Sequence, residues 1–255
     1  MRIVTLMENT TCREGLSSEH GLSLYLETEK HKILFDAGQS GAFAGNAEVL
    51  GVDLGAVDFA VLSHGHYDHS GGLRTFLEIN EKAPVYVSCH AFEPHYNGAG
   101  KYLGVDLTLQ EDPRIRYVTE ETVLAEGITL HTIAAAPMDT AGLLMEEHGE
   151  RKPDDFRHEQ YLLIEEKGRK ILFSGCSHKG ILQIMEAFQP DILIGGFHFM
   201  KIEDERILRS AAEKLLSYPA VYYTGHCTGQ KQYDYLKTIM GERLHYIASG
   251  TMLEL

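Results

Sequence analysis

The chain of 255 residues lacks several features that mark particular classes of protein. It has no tryptophan, and no apolar run approaches the roughly 18 residues that a membrane-spanning helix needs. The apolar start, residues 2–7, is broken by Glu8 and is too short for the core of a secretory signal, so it predicts a first strand. These absences argue against a membrane partner.

Basic residues are scarce, with 23 Lys and Arg against 37 Asp and Glu, and the formal net charge is −14. Nucleic acids and anionic membrane surfaces are bound by basic faces, so neither is expected as a partner. An anionic small molecule remains compatible with this composition, because bound dications can reverse the local charge.

Cysteine is also sparse, and the four present form no C-x-x-C pair and no dense disulfide framework. This usage predicts a reduced, cytoplasmic setting. The chain contains no G-x-x-x-x-G-K-[ST] phosphate loop, no G-x-G-x-x-G at a strand–helix turn and no G-x-S-x-G elbow. Nucleotide-binding and serine-nucleophile mechanisms of those kinds therefore have no support.

Short β-type runs alternate with helical periodicity along the chain, which predicts helices over residues 179–188, 204–217 and 229–240. No linker separates two domains, so we predict a single domain over residues 1–255. A strand–loop–helix unit occurs twice, after residues 57–63 and after residues 170–174. Strands followed by such units in both halves predict an α/β fold with two mixed sheets and helices outside, a four-layer αββα sandwich. Residues 92–112 lack periodicity and are predicted to form a loop near the site.

The chain has fourteen histidines, an unusually high number. Three of them lie in a stretch of six residues inside the segment SHGHYDHSGG (63–72). In extended backbone, residues i and i+2 point to the same side, about 6.6 Å apart, so His64 and His66 can converge on one metal ion. Asp68 and His69 follow a bend and can turn to a second ion. Their nitrogen and oxygen donors suit zinc, manganese or iron, and the type of donor atom does not distinguish among these three metals. Two ions about 3.5–4 Å apart would polarise a phosphoryl or carbonyl oxygen and acidify a shared water, from which Asp68 could accept a hydrogen bond.

The pattern His64-x-His66-x-Asp68-His69 resembles the H-x-H-x-D-H signature of the metallo-β-lactamase superfamily. The resemblance covers essentially the whole chain, since Phe35-Asp36-Ala37-Gly38 is similar to the element that supports the metal loop in that superfamily. It implies the metallo-β-lactamase fold and two divalent metal ions, zinc first among the candidates. It also implies that Asp36 contacts a ligand imidazole rather than a metal.

A narrower resemblance is to the branch named for 7,8-dihydropterin-6-methyl-4-(β-D-ribofuranosyl)aminobenzene 5′-phosphate synthase. The family activity joins a dihydropterin methyl diphosphate to a ribofuranosylaminobenzene phosphate, with loss of diphosphate. The resemblance therefore implies a phosphorylated, pterin-like or nucleotide-like small-molecule substrate. It rests on the segments ENT (8–10), LFDAGQS (34–40), SHGHYDHSGG (63–72), SGCSHKGI (174–181), GGFH (195–198) and TGHCTG (224–229).

The superfamily completes its two metal sites with ligands from later strands, and the resemblance carries this over to four positions. His226 would join the second metal and His178 would complete the first. Cys176 stands where a bridging aspartate is common, and it remains open whether it bridges as a thiolate or is a small core residue. His158 falls near the usual position of a further histidine, and it remains open whether it is a ligand, a surface histidine or an ion-pair partner.

His198 follows the predicted strand 191–196 at the sheet edge where ligands collect in α/β folds. We predict that it contacts a substrate phosphate or donates a proton, and Asp68 is the other predicted catalytic residue. The leading interpretation is a dinuclear metal-dependent synthase or transferase. One alternative is a hydrolase of a phosphodiester, thioester or lactone that uses a metal-bridging hydroxide. An alternative of another class is a catalytically silent metal-binding or sensor module. The sequence does not predict an oligomeric state.

Overall fold

The computed structural model describes residues 1–137 and 142–255. The strands in these ranges are Arg2–Met7 (β1), Ser23–Glu27 (β2), Lys32–Phe35 (β3), Phe59–Val61 (β4), Val85–Ser88 (β5), His95–Tyr96 (β6), Ile115–Val118 (β7), Thr122–Ala125 (β8), Ile128–His131 (β9), Leu144–Glu147 (β10), Glu150–Pro153 (β11), Tyr161–Glu166 (β12), Arg169–Phe173 (β13), Ile192–Ile194 (β14), Val221–Thr224 (β15), Leu244–Tyr246 (β16) and Met252–Glu254 (β17). The α-helices are Ala42–Val49 (α1), Tyr67–Ser70 (α2), Leu73–Ile79 (α3), Ile181–Phe188 (α4), Glu205–Leu216 (α5) and Gln230–Met240 (α6). Short 3₁₀ turns occupy Leu54–Ala56, Leu107–Leu109, His226–Thr228 and Gly241–Arg243.

The chain divides into two compact units. The first unit comprises Met1–Thr119, Asp139–Gln160 and Ala248–Leu255, and the second comprises Glu120–Met138 and Tyr161–Ile247.

The first unit contains a seven-stranded mixed sheet in the order β17-β1-β2-β3-β4-β5-β7. Strands β17 to β3 pair antiparallel, whereas β3, β4, β5 and β7 pair parallel. Because β3 and β4 run parallel, the residues that follow them emerge at the same sheet edge. Asp36 follows β3 and Ser63 lies two residues beyond β4, so the topology brings them together.

The core of the first unit lies between this sheet and the helices α1 and α3. Phe43 on α1 and Phe76 on α3 are fully buried in one apolar cluster that also contains side chains of β4 and β5. Fully burying an aromatic or aliphatic side chain stabilises a fold by about 1.5–3 kcal/mol, so this packing anchors the strands that carry the metal loop.

A small three-stranded antiparallel sheet, in the order β11-β10-β6, also belongs to the first unit. Its strand β6 and the 3₁₀ turn Leu107–Leu109 fall within residues 92–112, so the prediction of an irregular loop there is wrong in part. A strand of two residues is too short to show a periodicity of its own, and it forms because β10 pairs with it from about 50 residues away.

The second unit contains the other seven-stranded mixed sheet, in the order β16-β15-β14-β13-β12-β9-β8. Strands β13 to β16 pair parallel, so β13, β14 and β15 end at one sheet edge. Helix α5 packs its apolar face into the core of this unit at helical spacing, through Leu208, Ala211, Ala212 and Leu215. Its start is capped by Asp204, whose side chain accepts a hydrogen bond from the backbone N–H of Arg206.

The predicted helices 179–188, 204–217 and 229–240 correspond to α4, α5 and α6 within two residues at either end. Among the described residues, none of the helices combines the length and the apolar character that a bilayer crossing requires.

Candidate metal centre

The segment Ser63–Gly72, here the metal loop, follows β4 in the first unit. His66 has extended backbone and immediately precedes α2, so Asp68 and His69 lie on the first turn of a helix. The rings of His64 and His66 have centroids 4.7 Å apart, and those of His64 and His69 are 4.2 Å apart. All four of these side chains are buried. The structure therefore gathers the four predicted donors of the metal loop in one place.

Asp36 is the buried carboxylate beneath this loop, and it makes three short hydrogen bonds. Its Oδ1 accepts from the backbone N–H of Ser63 at 2.7 Å, and its Oδ2 accepts from Ser63 Oγ at 2.7 Å. The same Oδ2 lies 2.6 Å from His69 Nδ1. Ser63 Oγ lies 2.8 Å from His64 Nδ1. We refer to these contacts as the Asp36 network.

The Asp36 network fixes which nitrogen of each histidine carries a proton. A carboxylate can only accept, so His69 Nδ1 is protonated and, in the neutral ring, its Nε2 keeps a lone pair. Ser63 Oγ donates its one proton to Asp36, so it accepts from His64 Nδ1, and His64 Nε2 keeps its lone pair as well. An Nε2 lone pair backed by an Nδ1–H hydrogen bond is the form in which a neutral histidine binds a metal. The Asp36 network thus fits a metal ion, and Asp36 contacts His69 directly and His64 through Ser63.

Burial disfavours the imidazolium form of His69, but the carboxylates of Asp36 and Asp68 outweigh it and raise the pKa of that histidine. Asp68 has a second neighbour, since His20 Nε2 lies 3.3 Å from its Oδ2. The Asp68 side chain retains 11% of its exposure, so it is the donor of the metal loop that solvent reaches most readily.

A second buried carboxylate, Asp154, lies among three imidazoles of the first unit. Its Oδ2 is 2.8 Å from His95 Nδ1, 3.4 Å from His158 Nε2 and 3.9 Å from His66 Nε2. Burial opposes the charged carboxylate, yet the contacts with His158, His66 and His95 outweigh it and hold the pKa of Asp154 far below its usual range. We call these four residues the Asp154 cluster.

The Asp154 cluster contains two residues that the sequence analysis did not single out, His95 and Asp154. No motif pointed to them, because His95 lies 59 residues from Asp154 and only the fold joins them. His158 is fully buried, so its interpretation as a surface histidine is wrong, whereas its contact with Asp154 agrees with the alternative of a partner to a charged group. Burial and the neighbouring His95 lower the pKa of His158 to about 3, so this imidazole is neutral at physiological pH.

The second unit places its predicted site residues at the carboxyl ends of three adjacent parallel strands. Cys176 and His178 follow β13, His198 follows β14 and His226 follows β15. The rings of His178 and His198 have centroids 4.4 Å apart. Cys176, His178 and His226 are buried, whereas His198 is partly exposed.

The backbone of these loops is strained at several non-glycine residues. Ser177, His198 and His226 have φ values of 60°, 57° and 51°, in the left-handed region that costs most residues energy. Strain of this kind concentrates at functional sites, where the surrounding structure holds a side chain in a required direction. The left-handed backbone at His198 and His226 is therefore consistent with a functional role at this sheet edge.

Comparison with known proteins connects these features to a family. The model of the metallo-β-lactamase superfamily matches residues 19–226. The 7,8-dihydropterin-6-methyl-4-(β-D-ribofuranosyl)-aminobenzene-5′-phosphate synthase of Methanocaldococcus jannaschii is 30% identical, over 93% of this chain and 90% of its own length. An uncharacterized protein of the same organism is 29% identical over 90% of this chain and 91% of its own length.

Solved structures give the same result. A structure described as a metal-dependent hydrolase of the β-lactamase superfamily is 30% identical, with a TM-score of 0.85 over 100% of this chain and 99% of its own. A diphosphatase of the PhnP family is 14% identical, with a TM-score of 0.58 over 100% of this chain and 97% of its own, and shares the fold. The predicted fold class, with two mixed sheets and helices outside, is confirmed. The chain belongs to the metallo-β-lactamase superfamily, and within it to the branch that resembles the M. jannaschii synthase.

Proposed function

We propose that this protein is a dinuclear metal-dependent enzyme that acts on a phosphorylated small molecule with a pterin-like or nucleotide-like ring. The observation that carries the proposal is the Asp36 network, in which one buried carboxylate contacts His69 Nδ1 directly and His64 Nδ1 through Ser63, so that Nε2 is the nitrogen each ring would offer to a metal. Burying imidazoles and carboxylates together costs free energy unless each is paired or coordinates an ion. A metal centre accounts for this combination of groups.

The substrate class is supported by the M. jannaschii synthase, whose name specifies a dihydropterin and a ribofuranosylaminobenzene phosphate. The net charge of −14 does not oppose a phosphorylated substrate, because two bound dications would make the site locally positive. We extend the synthase activity to this chain, so that a dihydropterin methyl diphosphate would be joined to a ribofuranosylaminobenzene phosphate with loss of diphosphate.

In this proposal His64 and His66 hold the first ion, and Asp68 and His69 hold the second. Zinc, manganese and iron all suit the imidazole and carboxylate donors of the metal loop. When bound, two such ions supply Lewis-acid polarisation of a phosphoryl oxygen and acidify water. Further ligands remain predictions from the sequence, namely His178, His226, Cys176 and His158. A single domain spanning residues 1–255 likewise remains a prediction.

Two side chains of the protein are proposed to move protons or hold substrate. Asp68 retains access to solvent and pairs with His20, so its carboxylate can accept a proton from an attacking group. His198 is partly exposed on a strained loop, and its imidazole can contact a phosphate or donate a proton to a departing group.

Hydrolysis of a phosphodiester, thioester or lactone is the second candidate function. It is favoured by the solved structure with a TM-score of 0.85, which is described as a metal-dependent hydrolase and is as similar in sequence as the synthase. A catalytically silent metal-binding module has weaker support, since His64, His66, Asp68 and His69 are all present and buried together.

The test is to load the purified protein with zinc, manganese or iron and follow diphosphate release with the two synthase substrates, singly and together. Generic phosphodiester, thioester and lactone substrates are assayed in parallel. Release that requires both substrates supports the synthase, whereas faster metal-dependent turnover of a generic ester contradicts it and supports the hydrolase. A His64→Ala variant should lose activity, and His148→Asn, at an exposed histidine of the β10–β11 turn, should retain it. A wild-type protein that binds no metal would refute both functions.

A further inference from the structure

Residues 95–103, here the 95–103 hairpin, fold back on themselves beside the metal loop in the first unit. The turn is held by Asn97, whose side-chain oxygen accepts a hydrogen bond from the backbone N–H of Lys101 at 2.9 Å. The returning strand contacts the metal loop, because the backbone N–H of Tyr67 donates to the carbonyl oxygen of Leu103 at 2.7 Å. These hydrogen bonds fix the place of the hairpin against the metal loop.

Lys101 brings a positive charge to the metal loop. Its Nζ lies over the ring of Tyr67, 5.1 Å from the ring centroid, which is a cation–π contact. Tyr67 stands between His66 and Asp68 in the chain, so the ammonium is held beside the proposed metal ligands. An ammonium has three N–H donors, and they cannot all point at one ring. Lys101 can therefore donate to a ligand while it keeps its contact with Tyr67.

Other cations of α3, β11 and the loop after β11 are already paired with carboxylates. The pairs are Arg74 with Asp106, Arg151 with Glu146, Lys152 with Glu147, and Arg157 with Glu93. Within residues 1–137 and 142–255, no carboxylate lies within ion-pair distance of the Lys101 ammonium. Water solvates any exposed ammonium, so the distinguishing feature of Lys101 is an unpaired charge in a fixed position.

The aromatic groups of the hairpin itself are satisfied within the protein. The guanidinium of Arg151 lies 3.7 Å from the centroid of the Tyr96 ring, and the Tyr102 ring packs edge-on against Tyr96 at 5.6 Å. The hydroxyl of Tyr102 donates to the carbonyl oxygen of Val105 at 2.8 Å. These contacts shape the hairpin, and they leave Lys101 as its group with a charge to offer a ligand.

A cation at this position complements one part of the proposed substrates. The diphosphate of the pterin substrate departs in the proposed reaction, whereas the phosphate of the ribofuranosylaminobenzene substrate stays on the ribose and does not react. A group that does not react is bound equally well in the ground state and in the transition state, so a fixed side-chain cation suits it. Lysine binds phosphate in this way, as a compact point charge.

We infer that Lys101 binds the non-reacting phosphate of the ribofuranosylaminobenzene substrate, and that Tyr67 is a positioning residue that holds the ammonium in place. The inference rests on the proposed function, because it takes the substrate from there. It makes Lys101 a determinant of specificity, which selects the phosphorylated form of this substrate over the form without phosphate.

The first test measures the binding of the ribofuranosylaminobenzene phosphate, and of the same compound without its phosphate, by calorimetry on the metal-loaded protein. Lys101→Ala should weaken binding of the phosphorylated compound about tenfold, the lower end for a charged hydrogen bond because Lys101 is exposed. Binding of the other compound should stay within about twofold of wild type. An equal loss for both compounds, no loss for either, or a wild type that does not prefer the phosphate would overturn the inference.

The matched control is Lys82→Ala, which removes the same charge from another exposed lysine of the first unit. It should bind both compounds as wild type does. If Lys82→Ala weakens binding of the phosphorylated compound as much as Lys101→Ala does, the effect belongs to the net charge of the protein and the inference fails.

The role of Tyr67 is tested by a double-mutant cycle. Tyr67→Phe keeps the ring face and should bind the phosphorylated compound as wild type does, whereas Tyr67→Leu should bind it about two- to fivefold more weakly. In the Lys101→Ala background Tyr67→Leu should have no further effect on this binding. An effect of the same size in both backgrounds would show that Tyr67 does not act through Lys101.

Steady-state kinetics separate this inference from the proposed function. Where diphosphate release requires both substrates, Lys101→Ala should raise KM for the ribofuranosylaminobenzene phosphate about tenfold and leave kcat unchanged, because the lost contact is the same before and during reaction. A lower kcat with an unchanged KM would overturn the inference alone. If the wild type releases no diphosphate, the proposed function fails, and the binding measurements still decide whether Lys101 recognises the phosphate.

Discussion

Gly65 lies between the two histidines proposed for the first metal, and its replacement by alanine gives a sharp test of how the metal loop is held. A Cβ atom added there would lie 2.2 Å from the backbone carbonyl oxygen of Ala91. An ordinary carbon–oxygen contact needs about 1 Å more than this, so either the loop or the Ala91 backbone has to move. Both are backbone segments, and a rotation of a flexible side chain cannot relieve the overlap.

The displacement has two consequences of calculable size. Overpacking a well-packed site costs about 1–3 kcal/mol, and we expect the free energy of unfolding of Gly65→Ala to fall by that amount. The loop also carries His64 and His66 on either side of Gly65, and the backbone N–H of Gly65 donates a hydrogen bond to His158. A misplacement of about 1 Å is enough to cost about 100-fold in activity, so metal-dependent turnover should fall at least tenfold.

The matched control is Gly45→Ala on α1, where an added Cβ meets no atom within 4 Å. Alanine in an exposed helix position is more stable than glycine by about 0.5–1 kcal/mol, so this variant should be slightly stabilised and should bind metal normally. The measurements are urea denaturation of the metal-free proteins and chelator competition. A Gly65→Ala protein as stable as wild type, with unchanged metal affinity, would refute the reasoning that close packing on Ala91 sets the position of the metal loop.

Three further outcomes are expected. Asparagine at position 36 tolerates the backbone φ of 59°, but the amide N–H₂ of Asp36→Asn faces the donors of Ser63 and His69. The metal affinity of this variant, measured by chelator competition, should therefore fall about 10–100-fold. Wild-type affinity would contradict the Asp36 network. Ser63→Ala removes the link to His64 but leaves the Asp36–His69 contact, so it should weaken metal binding less than Asp36→Asn does, and a larger loss would contradict this order. Removal of metal by a chelator should lower the melting temperature by roughly 5–10 °C, because free metal at about 100 times its Kd stabilises a fold by about 2.7 kcal/mol. An unchanged melting curve would argue against a bound metal.

Much of the fold could be predicted from local patterns. Strand β1 occupies residues 2–7 as predicted, and α4, α5 and α6 begin and end within two residues of the predicted bounds. Periodic apolar positions identify such elements because each buries one face against a core. The short strand β6 escaped prediction, because its pairing with β10 depends on a segment about 50 residues away.

The candidate site divides in the same way. The motif His64-x-His66-x-Asp68-His69 is contiguous, so its spacing alone indicated a metal centre and the superfamily that the comparisons confirm. The Asp154 cluster brings His95 of β6 next to Asp154 of the loop after β11, and no local sequence pattern predicts this contact.

By itself, then, the sequence determined the type of fold, the metal loop and the donors it offers, because these depend on short-range spacing and burial patterns. Only the tertiary structure decided which imidazole nitrogens the Asp36 network contacts. Proton placement depends on contacts between residues far apart in the chain, as Asp36 with His69 and Asp154 with His95 show.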